Sequence, residues 1–318
     1  MLALSLSSEV QASDRLRLAV QRTGTFAWEL AIMKERRLDV KAGLDLEVTE
    51  VASPEAAKIA LLGGAADVIL SDWLWVARQR SLGGRLVFWP YSAAIGALMV
   101  PASSPIRELA DLRGRTVAVA GGPLDKSWLL LQAFAKGSNL DLAREASIVY
   151  GAPALIYQKA AAGEAGATLN YWNFCVALEA RGFRRLIGID EVERRLGAKG
   201  PVAMVGYVFG EGFGEAHAAV LSRFFGIAAE AQAVLAQSSE EWRKIAKRTG
   251  IGSQAELALY RESYTAGIPR RPIAEEAADA RALYRILAEI GGPDLAGNAK
   301  ELDEGTFYQG AATAPLDR

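Results

Sequence analysis

The chain has 318 residues, 51% of them apolar, with 36 lysines and arginines against 37 aspartates and glutamates and a formal net charge of −1. That is apolar material enough for two lobes, and the balanced charge leaves no electrostatic footprint for nucleic acid or an anionic membrane. One cysteine, Cys175, and one histidine, His217, exclude an internal disulfide and a cysteine-rich cluster and weigh against zinc chemistry and Ser-His or Cys-His catalysis.

The first stretch, MLALSLSSEVQAS (1–13), starts apolar, and Val10-Gln11-Ala12 resembles a small-x-small signal-peptidase site, although no basic residues precede it. It reads as the remnant of an export signal, with a frayed cytosolic N-terminus as the alternative. Elsewhere no run of ~20 unbroken apolar residues would span a membrane. Apolar runs and helical patterns then alternate. They predict strands over 16–21, 46–51 and 67–71, with helices opening at Phe26, Pro54 and Asp72. Strands follow over 85–89 and 97–100. The pattern recurs with strands over 116–120, 147–150 and 167–170 and helices opening at Leu124, Pro153 and Trp172. Strands over 184–187 and 202–209 come next. From Glu215 the chain reads as helices over 215–237, 240–249, 254–266 and 275–290.

That recurrence has a fixed offset of 99 residues. PEAAKIALLGG (54–64) falls on PALIYQKAAAG (153–163), each with proline at a helix start and glycine at its end. GAADVILSDWLW (64–75) falls on GEAGATLNYWNF (163–174), setting Trp73 on Trp172 and Ser71 on Asn170. The period is too long for a solenoid and fits two similar α/β lobes, each built on a parallel sheet.

Ligands of open α/β sheets bind beyond the carboxyl ends of the strands, near helix N-termini. Here those segments hold Thr25, Phe26 and Trp28; Ser53 and Glu55; Ser71, Asp72 and Trp73; Gly121, Gly122, Asp125 and Trp128; and Asn170, Tyr171, Trp172 and Asn173. Tyr207, at the return between lobes, completes the candidate set. Four tryptophans among hydroxyls, amides and a few carboxylates have the make-up of a ligand pocket. Each residue also has a plainer role open to it. A tryptophan in a first helical turn packs on its sheet as readily as it meets a ligand. Asp72 and Ser53 are natural N-caps, and Lys126 is most simply solvated.

Other motifs fail. Gly210-Glu211-Gly212-Phe213-Gly214 lacks the third glycine of a dinucleotide loop, since position 215 is glutamate; it reads as a return through a hinge. There is no phosphate-binding loop, H-E-x-x-H or G-x-S-x-G.

Three runs carry a family resemblance. They are Leu61-Leu62-Gly63-Gly64-Ala65-Ala66-Asp67-Val68, Asp111-Leu112-Arg113-Gly114-Arg115-Thr116-Val117-Ala118-Val119, and Gly163-Glu164-Ala165-Gly166-Ala167, the last with glycine where aspartate is usual. Over roughly 14–210 the chain resembles substrate-binding proteins of ABC importers in the NMT1/THI5-like group, which serves nitrate, sulfonates, taurine and thiamine-pyrimidine precursors. The resemblance implies an α/β, two-lobed type II periplasmic-binding-protein fold, each lobe a mainly parallel sheet with flanking helices, and a helical C-terminal part. Lobe 1 would comprise 14–98 plus 207–318 and lobe 2 would comprise 99–206, with crossovers near 99–103 and 205–207 and the C-terminal helices on lobe 1. It further implies an exported, periplasmic monomer that takes a small-molecule ligand, docks on a membrane permease and needs no cofactor. The cleft composition points to a planar, heteroaromatic ligand, with or without one anionic end. Two other classes stay open: an enzyme on the same fold, with Asp72 or Asp125 as base, and a metal-uptake protein using Glu55, Asp72 and Asp125.

Overall fold

In the computed structural model, which describes residues 13–310 other than Thr23 and Gly250, the ten predicted strands all form. The export segment expected over 1–13 lies, but for Ser13, outside the described residues. β1 (Asp14–Gln21), β2 (Leu44–Val51), β3 (Val68–Asp72) and β4 (Leu86–Ser92) precede β5 (Gly96–Pro101), β6 (Thr116–Ala120), β7 (Ser147–Gly151), β8 (Ala167–Tyr171), β9 (Phe183–Gly188) and β10 (Val205–Gly210). They build two five-stranded sheets, ordered β2-β1-β3-β10-β4 and β7-β6-β8-β5-β9. In each sheet the first three strands are parallel. The fourth runs antiparallel to both neighbours.

The two sheets have one topology, and the offset of 99 runs through them. Helices begin at Pro54 and Pro153, β3 and β8 begin at Val68 and Ala167, and the helices after them begin at Trp73 and Trp172. Proline at the first helical position is preset for the helix. Ser53 caps its helix by accepting from the Ala56 amide at 3.2 Å; its counterpart Ala152 has no side-chain cap to offer.

Each sheet takes its inserted strand from the other half of the chain. The changeovers lie at 93–95, between β4 and β5, and at 196–204, before β10. This corrects the expected crossovers. Met99 pairs with Thr168 and Arg185 inside the second sheet, and Tyr207 pairs with Leu70 and Trp89 inside the first. Both lobe limits therefore move a few residues toward the N-terminus.

A second correction concerns the C-terminal helices, which join the lobes instead of resting on one. Ile273–Ala296 packs on Trp73–Ser81 of the first lobe and on Lys126–Lys136 of the second, and Gln254–Ala266 packs on Trp172–Glu179 and on Ala218–Gln237. Ala218–Gln237 is long and apolar enough to cross a membrane, yet Leu221, Phe224, Ala231 and Leu235 along it are fully buried in the protein. The expected helix over 215–237 breaks at His217. Because β10 is antiparallel and Val205 pairs with Asp72, Gly210 and the glycine-rich run after it lie at the amino end of the parallel strands. That run is not a hinge, and His217, stacked on Phe213 at 4.3 Å, stands away from the strand ends that matter below.

Candidate functional site

The parallel strands end at Val51 and Asp72 in the first lobe and at Gly151 and Tyr171 in the second. On the first wall Asp72 Oδ1 accepts from the Trp75 amide at 2.8 Å, capping its helix, as Ser53 does its own. Glu55 is exposed in the first turn after Ser53. On the second wall Asp125 accepts from the Ser127 amide at 2.9 Å and from the Tyr171 hydroxyl at 3.1 Å. Lys126 Nζ stands 5.0 Å over the Tyr171 ring and 4.0 Å from Asp125. Gly121 makes this fold-back feasible. Its φ is +89°, and a Cβ there would come within 2.9 Å of the Asp125 carboxylate.

The two walls act on each other. Burial, then the Asp125 carboxylate, and beyond it Asp72 and Glu55, hold the Tyr171 phenol well above the ordinary tyrosine range. Carboxylates of both lobes thus act on one phenol, which has the Lys126 ammonium over its ring. Among the described residues no three of His, Cys, Asp and Glu converge as a metal site.

Several amides at the strand ends are committed, whereas the helices opening at Pro153 and Trp172 carry no side-chain cap. The amides of Ala56, Trp75 and Ser127 go to the capping side chains, and that of Gly121 goes to the Gly151 carbonyl at 2.8 Å. Asp72→Ala is therefore expected to lower stability by ~1 kcal/mol through the lost cap, with Asp72→Asn close to wild type. Urea denaturation reads both, and equal loss in the two variants would contradict the capping role.

The remaining predicted residues separate into three groups. Trp73 and Trp128 are 0% and 1% exposed and belong to the core, so neither offers a face to a ligand. Trp73→Ala would open a core cavity, not remove a contact. Asn170 is structural: its amide donates to the Pro153 carbonyl at 3.0 Å and its oxygen accepts from the Tyr171 amide at 2.8 Å. Ser71 is buried, its hydroxyl without a partner.

Phe26 and Tyr207 are buried with Tyr91 and Phe224 in an edge-to-face cluster. Thr25 meets the edge of this cluster, its hydroxyl 3.4 Å from that of Tyr91.

Trp28 and Trp172 do meet across the lobes, at 6.3 Å and perpendicular. They form a seam with Trp242 and Tyr260. Asn173 joins it through its carbonyl, which accepts from the Tyr260 hydroxyl at 2.8 Å. Gly122 stays half-buried in the turn before Asp125.

Two features escaped the sequence reading. Lys126, expected to be solvated, has a side chain only 13% exposed. Glu29, fully buried one turn into its helix, accepts from the hydroxyls of Tyr91 at 2.8 Å and Tyr264 at 2.5 Å. Burial pushes its carboxyl up to about 8. Its partners lie 62 and 235 residues away, so no local pattern announces it.

Two sheets of one order, exchanging strands and facing each other at their carboxyl ends, define a two-lobed periplasmic-binding-protein fold. Residues 40–190 match the family model described as NMT1/THI5 like. No curated protein matches the chain by sequence. Among solved structures, the chain is similar to the periplasmic aliphatic sulphonate binding protein SsuA from Escherichia coli, with a TM-score of 0.73, 19% identity, and 93% of this chain and 92% of that one covered. The alkanesulfonate-binding protein SsuA from Xanthomonas axonopodis pv. citri bound to MOPS gives 0.71 and 18%, covering 92% and 98%. The Candida albicans CA3427 gene product, described as having the generic periplasmic binding protein fold, gives 0.61 and 10%, covering 87% and 90%.

Proposed function

We propose that the protein is the exported solute-binding component of an ABC importer, and that it captures a small, ring-bearing organic molecule by closing its lobes. The observation that carries this reading is the cleft itself, where Asp72 and Glu55 of one lobe act on Tyr171 of the other, whose hydroxyl donates to Asp125. A ligand touching both walls stabilises the closed form by the difference in its contacts between open and closed states. No catalytic group is required.

The chemistry of the walls supports a planar ligand that is neutral or carries an amine. Tyr171 supplies a ring face, and Glu55, Asp72 and Asp125 are acceptors for ring N–H groups. Simple anions want free N–H donors or an arginine fork, and the amides of Ala56, Trp75 and Ser127 are already bonded. The burial of Trp73 and Trp128 narrows the aromatic surface to Tyr171 and the Trp28–Trp172 seam.

Isothermal titration against pyrimidines, flavin-like compounds, aromatic sulfonates, taurine and nitrate tests the reading. A ring compound is expected to bind, and Tyr171→Ala to weaken it by ~1–3 kcal/mol, as for a truncated aromatic anchor. Tight binding of nitrate or taurine, with none from the ring compounds, would overturn the ligand class.

A further inference from the structure

A cavity of about 690 Å³, lined by none of the predicted cleft residues, lies between the helices Ser239–Thr249 and Gln254–Ala266. Its wall is apolar at Ala236, Trp242, Leu257 and Ala258. The Thr265 hydroxyl on the same wall is buried without a hydrogen-bond partner. A polar group left so in an otherwise apolar wall costs free energy until something satisfies it.

Charge around the opening is unbalanced. Arg243, Arg261 and Arg270 border it against Glu262 alone. Arg261 is spent structurally: it donates to the Ala236 and Gln237 carbonyls and to Ser239, closing the C-terminus of Ala218–Gln237. Arg243 and Arg270 are exposed, and neither pairs with a carboxylate among the described residues. Two guanidinium groups without a carboxylate partner, over an apolar wall, match a molecule with an anionic head and an apolar body.

We propose that this groove is a second ligand site, separate from the cleft, which takes a small amphipathic organic anion with its head between Arg243 and Arg270 and its apolar body against Leu257 and Ala258. The site does not depend on the identity of the cleft ligand. Its inner wall adjoins the interlobe seam, since the Trp242 ring meets Trp28 at 5.6 Å.

Decanoate, titrated calorimetrically into the intact protein, is the probe. It is expected to bind saturably at one site, and decyltrimethylammonium, with the same chain and opposite charge, at least about tenfold more weakly. Ala258→Trp, at an exposed position, should fill the groove and abolish binding. Combined Arg243→Gln and Arg270→Gln should weaken it about tenfold or more. Tyr171→Ala should leave it unchanged, which separates this site from the cleft. Circular dichroism melting confirms that each variant folds, and the exposed arginine pair serves if Ala258→Trp does not. Absence of saturable binding, equal binding of the cation, or decanoate binding that survives in a folded groove variant would overturn the proposal.

Discussion

Gly96→Ala is expected to destabilise the protein by at least ~3 kcal/mol, combining backbone strain with overpacking. Gly96 opens β5 directly after the first changeover, with φ +135°, and pairs with Tyr171. A Cβ there would stand 2.1 Å from the Asn170 carbonyl oxygen and 3.1 Å from the Tyr171 Cα. Both are backbone atoms of β8, so no side chain can swing aside. Relief would move Tyr171, and ligand binding would suffer with stability. Gly64→Ala is the control: its φ is +71° with nothing within 4 Å, so only ~1 kcal/mol of strain is expected there. Urea denaturation of both variants reads the difference, and a Gly96→Ala midpoint equal to that of Gly64→Ala would contradict the close approach.

Stability is expected to fall as pH rises from about 4.5 to about 8. Burial pushes Glu29 and Glu193 up to about 8 and Glu276 up to about 7, whereas an unfolded glutamate titrates near ~4.3. Between those values the folded chain holds more protons than the unfolded one. The contribution of these three groups is therefore greatest below the unfolded value, and it declines until the folded groups have ionised. Glu29→Gln keeps an acceptor for Tyr91 and Tyr264 and removes one titration. It should flatten the slope and gain on the order of 4 kcal/mol at pH 8 and above, at 1.36 kcal/mol per unit. Chemical denaturation across that range checks it; parallel profiles for the two proteins would contradict a buried, protonated Glu29. The group also lies close to the first changeover. Tyr91 ends two residues before the first changeover, and the Ala93 amide donates to the Gly267 carbonyl at 2.8 Å, just past Tyr264.

Local pattern was enough for the strands and for the repeat. Pro54 and Pro153 open their helices where the sequence put them, because a proline at the first turn is read without tertiary context. Ser53 and Asp72 turned out to be the caps that their residue types offered. Which face of a helix is covered is a different matter. Trp73 and Trp128 sit in first turns near the strand ends, as pocket tryptophans would. What buries them includes Ile273–Ala296, lying across both of their helices from far along the chain. The changeover was misplaced for a related reason. The apolar run of β5 suits the middle of either sheet, and only pairing with β8 and β9 decides which. Lys126 looked like any surface lysine because the ring beneath it, Tyr171, belongs to a strand 45 positions later.

A ligand bridging the two lobes is expected to close them. Small-angle X-ray scattering tests it most directly, on protein freed of retained ligand by unfolding and refolding and then saturated with the tightest compound from the titration panel. A smaller radius of gyration with ligand is the predicted result, with Tyr171→Ala needing more ligand to reach it. An identical radius at saturation, in protein shown by native mass spectrometry to start empty, would contradict closure.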